Sequence, residues 1–326
     1  MKKHSFNIRN VAAMALFGLT LTATSCVRDL EQVPITDVTS DSVYKNFANY
    51  PQTLAKLYGG LATGGQTDGG GNADINGIDA NFSQFTRVLF TLQNLPTDEA
   101  VIGWNDGTLQ TIHKMTWDSQ SEFVAAAYYR LFTEIAFCNE FIRNTTDERL
   151  SANGISSNDQ TEAKYMRAEA RFLRALCYYY ALDLFGNVPF VTEANLPGST
   201  TPPQRIARAD LFKYVESELL ACAAEMKAPK TGEYGRADQA AAWTLLAKLY
   251  LNAAVYTGTQ RNNDVITYAS KVISAGYALK PKYESLFLAD NHVNSTETIF
   301  PVVFDGLKTR TYGGTTYLLH AAVGGS

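Results

Sequence analysis

The sequence predicts a mainly α protein, built from tetratricopeptide-like helical hairpins with long irregular loop insertions. Three observations predict it. Apolar residues recur at helical spacing through most of the second half of the chain. The helical runs come in pairs, several closed by Gly, Asn or Pro. Small residues stand where paired helices would touch, although no strict repeat is visible.

The first segment is an export signal. Lys2, Lys3 and Arg9 give a positive start, and an apolar run follows from Val11 to about Leu21. That run is too short to span a bilayer as a stable helix. Ala23-Thr24-Ser25-Cys26 then places small residues before a cysteine whose thiol can carry a diacylglycerol. The arrangement is that of a bacterial lipoprotein signal, with Ala23 where leucine is more usual. Ordinary cleavage with Cys26 incidental is the competing reading. Residues 1–25 are thus expected to be a signal peptide, 26–39 a lipidated tether and 40–326 the folded domain, anchored to the membrane without spanning it.

Ser40-Asp41 offers a helix cap, and a helix is expected from there to about Leu61. Eight glycines between Gly59 and Gly77 predict a long loop. Beyond Ser121 the helices follow in order. Tyr128–Asn144 is one. Thr161–Phe185 is the clearest, with Phe172, Ala175, Leu176 and Tyr179 on one face and a polar stripe of Arg167, Arg171 and Arg174. It stops at Gly186-Asn187. Asp210–Met226, Asp238–Ala254 and Asp264–Ser274 complete the set, and Thr298–Phe304 reads as β-like. The chain ends at Ser326 without closing an element and reads as cut short.

Composition excludes several function classes. The formal net charge is −4 with no basic stripe, so nothing calls for nucleic acid. Cys138, Cys177 and Cys222 are odd in number and widely spaced, which predicts buried free thiols rather than a disulfide framework or a zinc site. The four histidines lie far apart, and the glycine-rich stretch lacks the G-K-[ST] that holds a phosphate. No G-x-S-x-G elbow is present. Asp74-x-Asn76-Gly77-x-Asp79 lacks the closing Glu of a calcium loop and reads as a solvated turn. No catalytic residue, metal site or cofactor is therefore expected. A glycosidase carboxylate pair is defined by spatial separation, which sequence does not report.

Several stretches carry a family resemblance. They are Arg167–Leu176 continuing through Asp183–Phe190, Gly235–Asp238 with Trp243 and Leu246–Asn252, and Ser274–Tyr277 with Tyr283, Phe287 and Glu297–Phe300. The chain resembles the SusD/RagB family of outer-membrane nutrient-binding lipoproteins over most of its mature length. Leu95–Glu99 and Asp305–Tyr317 look most like the family's starch-binding member. The resemblance implies a helical scaffold with a binding face built on loops. It implies capture of starch or malto-oligosaccharides at the cell surface, and a SusC-like TonB-dependent outer-membrane barrel as partner. It also implies that the family's chains run well beyond residue 326. The competing reading is a tetratricopeptide-type scaffold that binds peptides or another glycan.

Trp104 lies in Gly103-Trp104-Asn105-Asp106-Gly107, a polar turn-like stretch from which a large aromatic cannot easily reach a core. It is a candidate stacking surface. By resemblance, Trp104 and Tyr312 match aromatics of a starch-stacking arc, and Asp79 and Arg87 match residues that bond sugar hydroxyls. Asn105 joins them as a candidate ligand-binding residue beside Trp104. Ile102 and Gly107 depart from the starch binder's pattern, which has tryptophan and asparagine there, and its third arc aromatic falls beyond Ser326. Trp243, among alanines at helical spacing, is expected in the core.

Overall fold

The computed structural model describes residues 39–65, 72–104, 107–314 and 317. Cys26, the signal segment, nearly all of the tether and Asn105 lie outside them. A short helix α1 (Ser40–Val43) belongs to an N-terminal unit of its own, and the chain from Tyr44 onward packs as a second unit.

The single helix expected from Ser40 to Leu61 is broken into three pieces. After α1 comes a 3-10 turn, Phe47–Asn49, capped by the Asn46 side chain, and then α2 (Tyr50–Ala62). Pro51 explains the restart. Its ring clashes with the carbonyl four residues back and it has no N–H to donate, so it is tolerated only in a first turn. Gly59 and Gly60, assigned to the glycine-rich loop, belong instead to α2. Gly60 is closely approached: a Cβ there would sit 2.1 Å from the buried Glu134 carboxylate, which would have to shift.

Two helices emerge between the glycine-rich loop and Ser121. They are α3 (Phe85–Asn94) and the short α4 (Leu109–His113). The remainder are α5 (Glu122–Asn144), α6 (Asp147–Ala152), α7 (Ser157–Phe185), α8 (Arg208–Glu225), α9 (Gln239–Leu251), α10 (Ala253–Thr257) and α11 (Asn262–Ser274). Helix α5 starts before the expected Tyr128, α6 was not expected, and the expected helix Asp238–Ala254 is divided at Asn252 into α9 and α10. Between α7 and α8 two two-residue strands, β1 (Val188–Pro189) and β2 (Arg205–Ile206), pair antiparallel with Val188 opposite Ile206. No strand forms at 298–304, where a β-like run was expected. Its apolar residues are used otherwise: the Phe300 ring meets Phe172 edge-on at 5.2 Å.

The long helices form a stack in which α3 packs on α5, α5 on α7, α7 on α8, α8 on α9 and α9 on α11. Alanines let the backbones approach. Ala126, Ala127, Ala168, Ala175, Ala240 and Ala242 are all wholly buried. Leucines such as Leu173, Leu219 and Leu246 fill the layers, each burial contributing roughly 1.5–3 kcal/mol. Cys138, Cys177 and Cys222 are buried and unbridged, as their spacing predicts.

The arginine stripe of α7 does more than its sequence pattern says. Arg174 is 2% exposed and is bound by Glu193, by Glu218 on α8 at 2.7 Å and by Asn139 on α5 at 2.7 Å. Burial raises the Glu218 carboxyl, but Arg171 and Arg174 outweigh it and hold the group below its ordinary range. A second network joins Arg236 and Tyr58 to buried Glu169. Trp243, expected in the core, is only half-buried on α9.

Candidate functional site

Arg87 lies in the first turn of α3, and Asp79, Trp104 and Tyr312 lie on loops outside it. Asp79 begins the approach. Its Oδ1 accepts hydrogen bonds from the backbone N–H of Asn81 at 2.8 Å and from Nδ2 of Asn81 at 2.9 Å. This is an Asx turn, which directs the chain toward the helix. Asp79 Oδ2 has no partner among the described residues. The Asn81 carbonyl accepts from Arg87 Nη1 at 2.7 Å, clipping the loop to the first turn of α3.

Arg87 then reaches an aromatic. Its guanidinium carbon lies 4.4 Å from the ring centroid of Tyr317, a cation–π contact. Tyr317 is 3% exposed and touches Phe90 at 5.9 Å and Trp104 at 5.7 Å, both edge-on. Tyr317 thus joins Arg87 to Trp104, two residues far apart in type and setting along the sequence. It sits inside the Asp305–Tyr317 stretch, but nothing in that loop's pattern distinguishes it from its neighbours, and sequence reasoning missed it.

Trp104 occupies the loop between α3 and α4. Gln110 from α4 donates Nε2 to the carbonyls of Trp104 at 2.6 Å and Ile102 at 3.2 Å. The loop is therefore held by the helix that follows it. The expectation that Trp104 cannot reach a core is corrected in part. Its ring is half-buried and leans on a satellite cluster of Leu95, Ile102, Leu109, Ile112 and Phe123. The loop brings its own core with it, which the polar turn residues conceal. Ile102 is 6% exposed and forms floor rather than platform.

Tyr312 is 55% exposed. Its neighbour Gly313 packs so closely that a Cβ would lie 2.9 Å from the side chain of Gln84, the residue that precedes α3. This brings Tyr312 to the same end of α3 as Asp79 and Arg87. Asp79, Arg87 and Tyr312 thus lie near the start of α3, and Tyr317 links Arg87 to Trp104; Asn105 lies outside the described residues.

Chemically this is a surface with aromatic faces, a guanidinium and a carboxylate. Rings stack on the C–H face of a flat polar ligand, and the charged groups engage neighbouring hydroxyls. Among the described residues no group of three or more His, Cys, Asp or Glu is placed to hold a metal. Asp74, expected in a solvated turn, instead has a side chain only 4% exposed that pairs bidentately with Arg130 on α5 at 2.7 and 2.9 Å, because the guanidinium draws it inward. No helix of the described residues is long and apolar enough to cross a membrane.

Comparison with known proteins identifies the family and the fold. The chain is 37% identical to the starch-binding protein SusD of Bacteroides thetaiotaomicron over 317 residues, covering 96% of this chain and 54% of that one. The chain thus spans about half the length of the curated relatives it matches. Its fold is similar to a SusD-like carbohydrate-binding protein of Bacteroides fragilis, with a TM-score of 0.61 and 22% identity over 79% of this chain and 46% of that one. A laminarin-binding SusD-like protein gives a TM-score of 0.60 at 20% identity, over 78% and 50% of the two chains. Residues 36–251 match the SusD-like profile described as starch-binding and associating with the outer membrane, and the chain belongs to this SusD-like family.

Proposed function

We propose that this protein is a cell-surface glycan-binding lipoprotein. It captures starch or malto-oligosaccharides and passes them to a SusC-like TonB-dependent barrel in the outer membrane. The observation that carries the reading is that Tyr317 joins Arg87 to Trp104, while the Asp79 turn is clipped to Arg87 through Asn81 and Tyr312 stands beside Gly313, which packs on Gln84 just before α3. Aromatics placed along an arc favour a curved α-glucan over a flat β-glucan, because stacked rings must follow the bend of the ligand. The relationship to a starch-binding protein supports the choice of α-glucan. Ile102 is turned into the floor, so this arc offers one platform fewer than a tryptophan there would give, and the grip on glucose units is correspondingly weaker.

The protein binds and does not cleave. Holding an aromatic platform on a pinned loop lowers the ordering cost of binding, which suits capture. Cys26 carries the lipid anchor, residues 1–25 are removed as a signal, and residues 40–326 provide the binding domain's helical part.

Titration calorimetry of the full-length protein with malto-oligosaccharides, followed by product analysis, tests the reading. Heat of binding with the sugars left intact is expected. Shortened sugars would make it a glycoside hydrolase, and the absence of any binding would favour a peptide-binding helical scaffold.

A further inference from the structure

The other end of the helix stack carries a second aromatic surface. Trp243 on α9 is half-buried and forms the floor of an open trough of about 710 Å³ between α9 and α11, walled by Pro229 and one face of α11. The α3-to-α11 order of packing puts this trough at the opposite end of the stack from Trp104.

Two of its three hydroxyls are unspent. Thr267 on α11 bonds the carbonyl of Asn263 at 2.8 Å, as helical Thr hydroxyls commonly do. Ser270 and Ser274, which follow it at helical spacing on the same face, make no such bond. Neither they nor the Trp243 indole N–H has a hydrogen-bond partner among the described residues. Both serines are exposed. Lys271 Nζ lies 5.6 Å from the Trp243 ring centroid and is exposed, so it can swing to an incoming hydroxyl. An indole floor with an N–H donor, two hydroxyls one turn apart and an ammonium at the edge is the donor set a pyranose ring needs. The indole takes the C–H face and the rim takes the ring hydroxyls. The trough is shallow and open, so an internal ring of a longer chain fits it as well as a terminal one.

We infer that Trp243, Ser270, Lys271 and Ser274 form a second, weak oligosaccharide-binding platform. It rests on the glycan-binding reading, and it deepens it: two platforms on one molecule raise the residence time of a polymer long enough to reach both, with no new contact at either.

Indole N–H signals of the full chain, labelled with nitrogen-15, test this during titration with maltoheptaose. The chain has three tryptophans, so three signals are expected, with Trp104 and Trp243 assigned by Trp→Phe variants. The Trp243 signal should shift saturably. The paired change Ser270→Ala with Ser274→Ala should weaken that titration about two- to tenfold and leave the Trp104 titration unchanged, because two exposed serines are replaced without disturbing the core. A Trp104 signal that moves while the Trp243 signal stays fixed overturns the second platform and leaves the first standing. Two fixed signals overturn both. A Trp243 titration unaltered by the double change overturns the assignment of the serines.

Discussion

Glu134 illustrates how much at the residue scale lies beyond the reach of sequence. It sits wholly buried on α5, pressed against the backbone at Gly60 on α2, with Cys138 Sγ 3.9 Å from its Oε1 and no hydrogen-bond partner for Oε2. Burial pushes its carboxyl up to about 8, against the pull of Arg130 and Lys56 and with the push of Asp74. An unfolded Glu titrates at about 4.3, so the folded chain keeps a proton that the unfolded chain releases. The stability contributed by this group is fully present below about pH 4 and is lost as pH rises toward 8. The cost across that window is roughly 3–5 kcal/mol. Glu134→Gln keeps the shape and removes the titration, so urea midpoints at pH 5 and pH 8 should differ less in the variant than in the parent. Equal pH dependence in the two would show that Glu134 is ionised in the fold. Gly60→Ala should cost about 2 kcal/mol or more, since the new methyl must displace the carboxyl or the helix. A melting temperature within a degree or so of the parent would contradict the close approach at Gly60.

At the scale of elements, the sequence was legible wherever periodicity and caps agreed. The α7 pattern, ending at Gly186, and the α9 start at Asp238 were both readable because the signals are local. Asp238 Oδ1 accepts from the N–H groups of Ala240 and Ala241, while Oδ2 accepts from the backbone N–H of Lys230. Asp238→Ala should therefore destabilise by about 1–2 kcal/mol, read as a lower melting temperature; an unchanged value would deny the cap its role. Where sequence reading failed, nonlocal packing decided. Helix α3 was missed although Phe85, Val88 and Leu89 are buried on it, because it is short and follows a turn-rich segment. The run at 298–304 had β-forming residues but found aromatic neighbours instead of a strand partner. Trp243 stood among alanines and was expected inside, yet α11 leaves its outer side open, and no pattern in α9 alone could show that.

At the scale of the whole molecule, the helical stack is a scaffold, and the proposed function assigns recognition to the loops at the α3 end. Most of the candidate site was visible in residue types and family resemblance. Its keystone was not, since Tyr317 joins Arg87 to Trp104 only after the chain has folded. The anchor is a separate expectation. Cys26→Ala should release the protein from the membrane fraction in detergent partitioning, because each lipid methylene buried contributes about 0.8 kcal/mol. A variant that stays with the membrane would contradict lipidation at Cys26. The central claim, that the Trp104 platform binds α-glucan, is tested most directly by calorimetric titration of maltoheptaose into full-length parent and Trp104→Ala protein. Circular dichroism checks that the variant is folded. Loss of a central aromatic anchor typically costs about 2 kcal/mol or more, so the account predicts an affinity at least about 30-fold weaker in the variant. Unchanged affinity in a folded Trp104→Ala protein, or tighter binding of cellulose oligomers than of maltoheptaose by the parent, would contradict it.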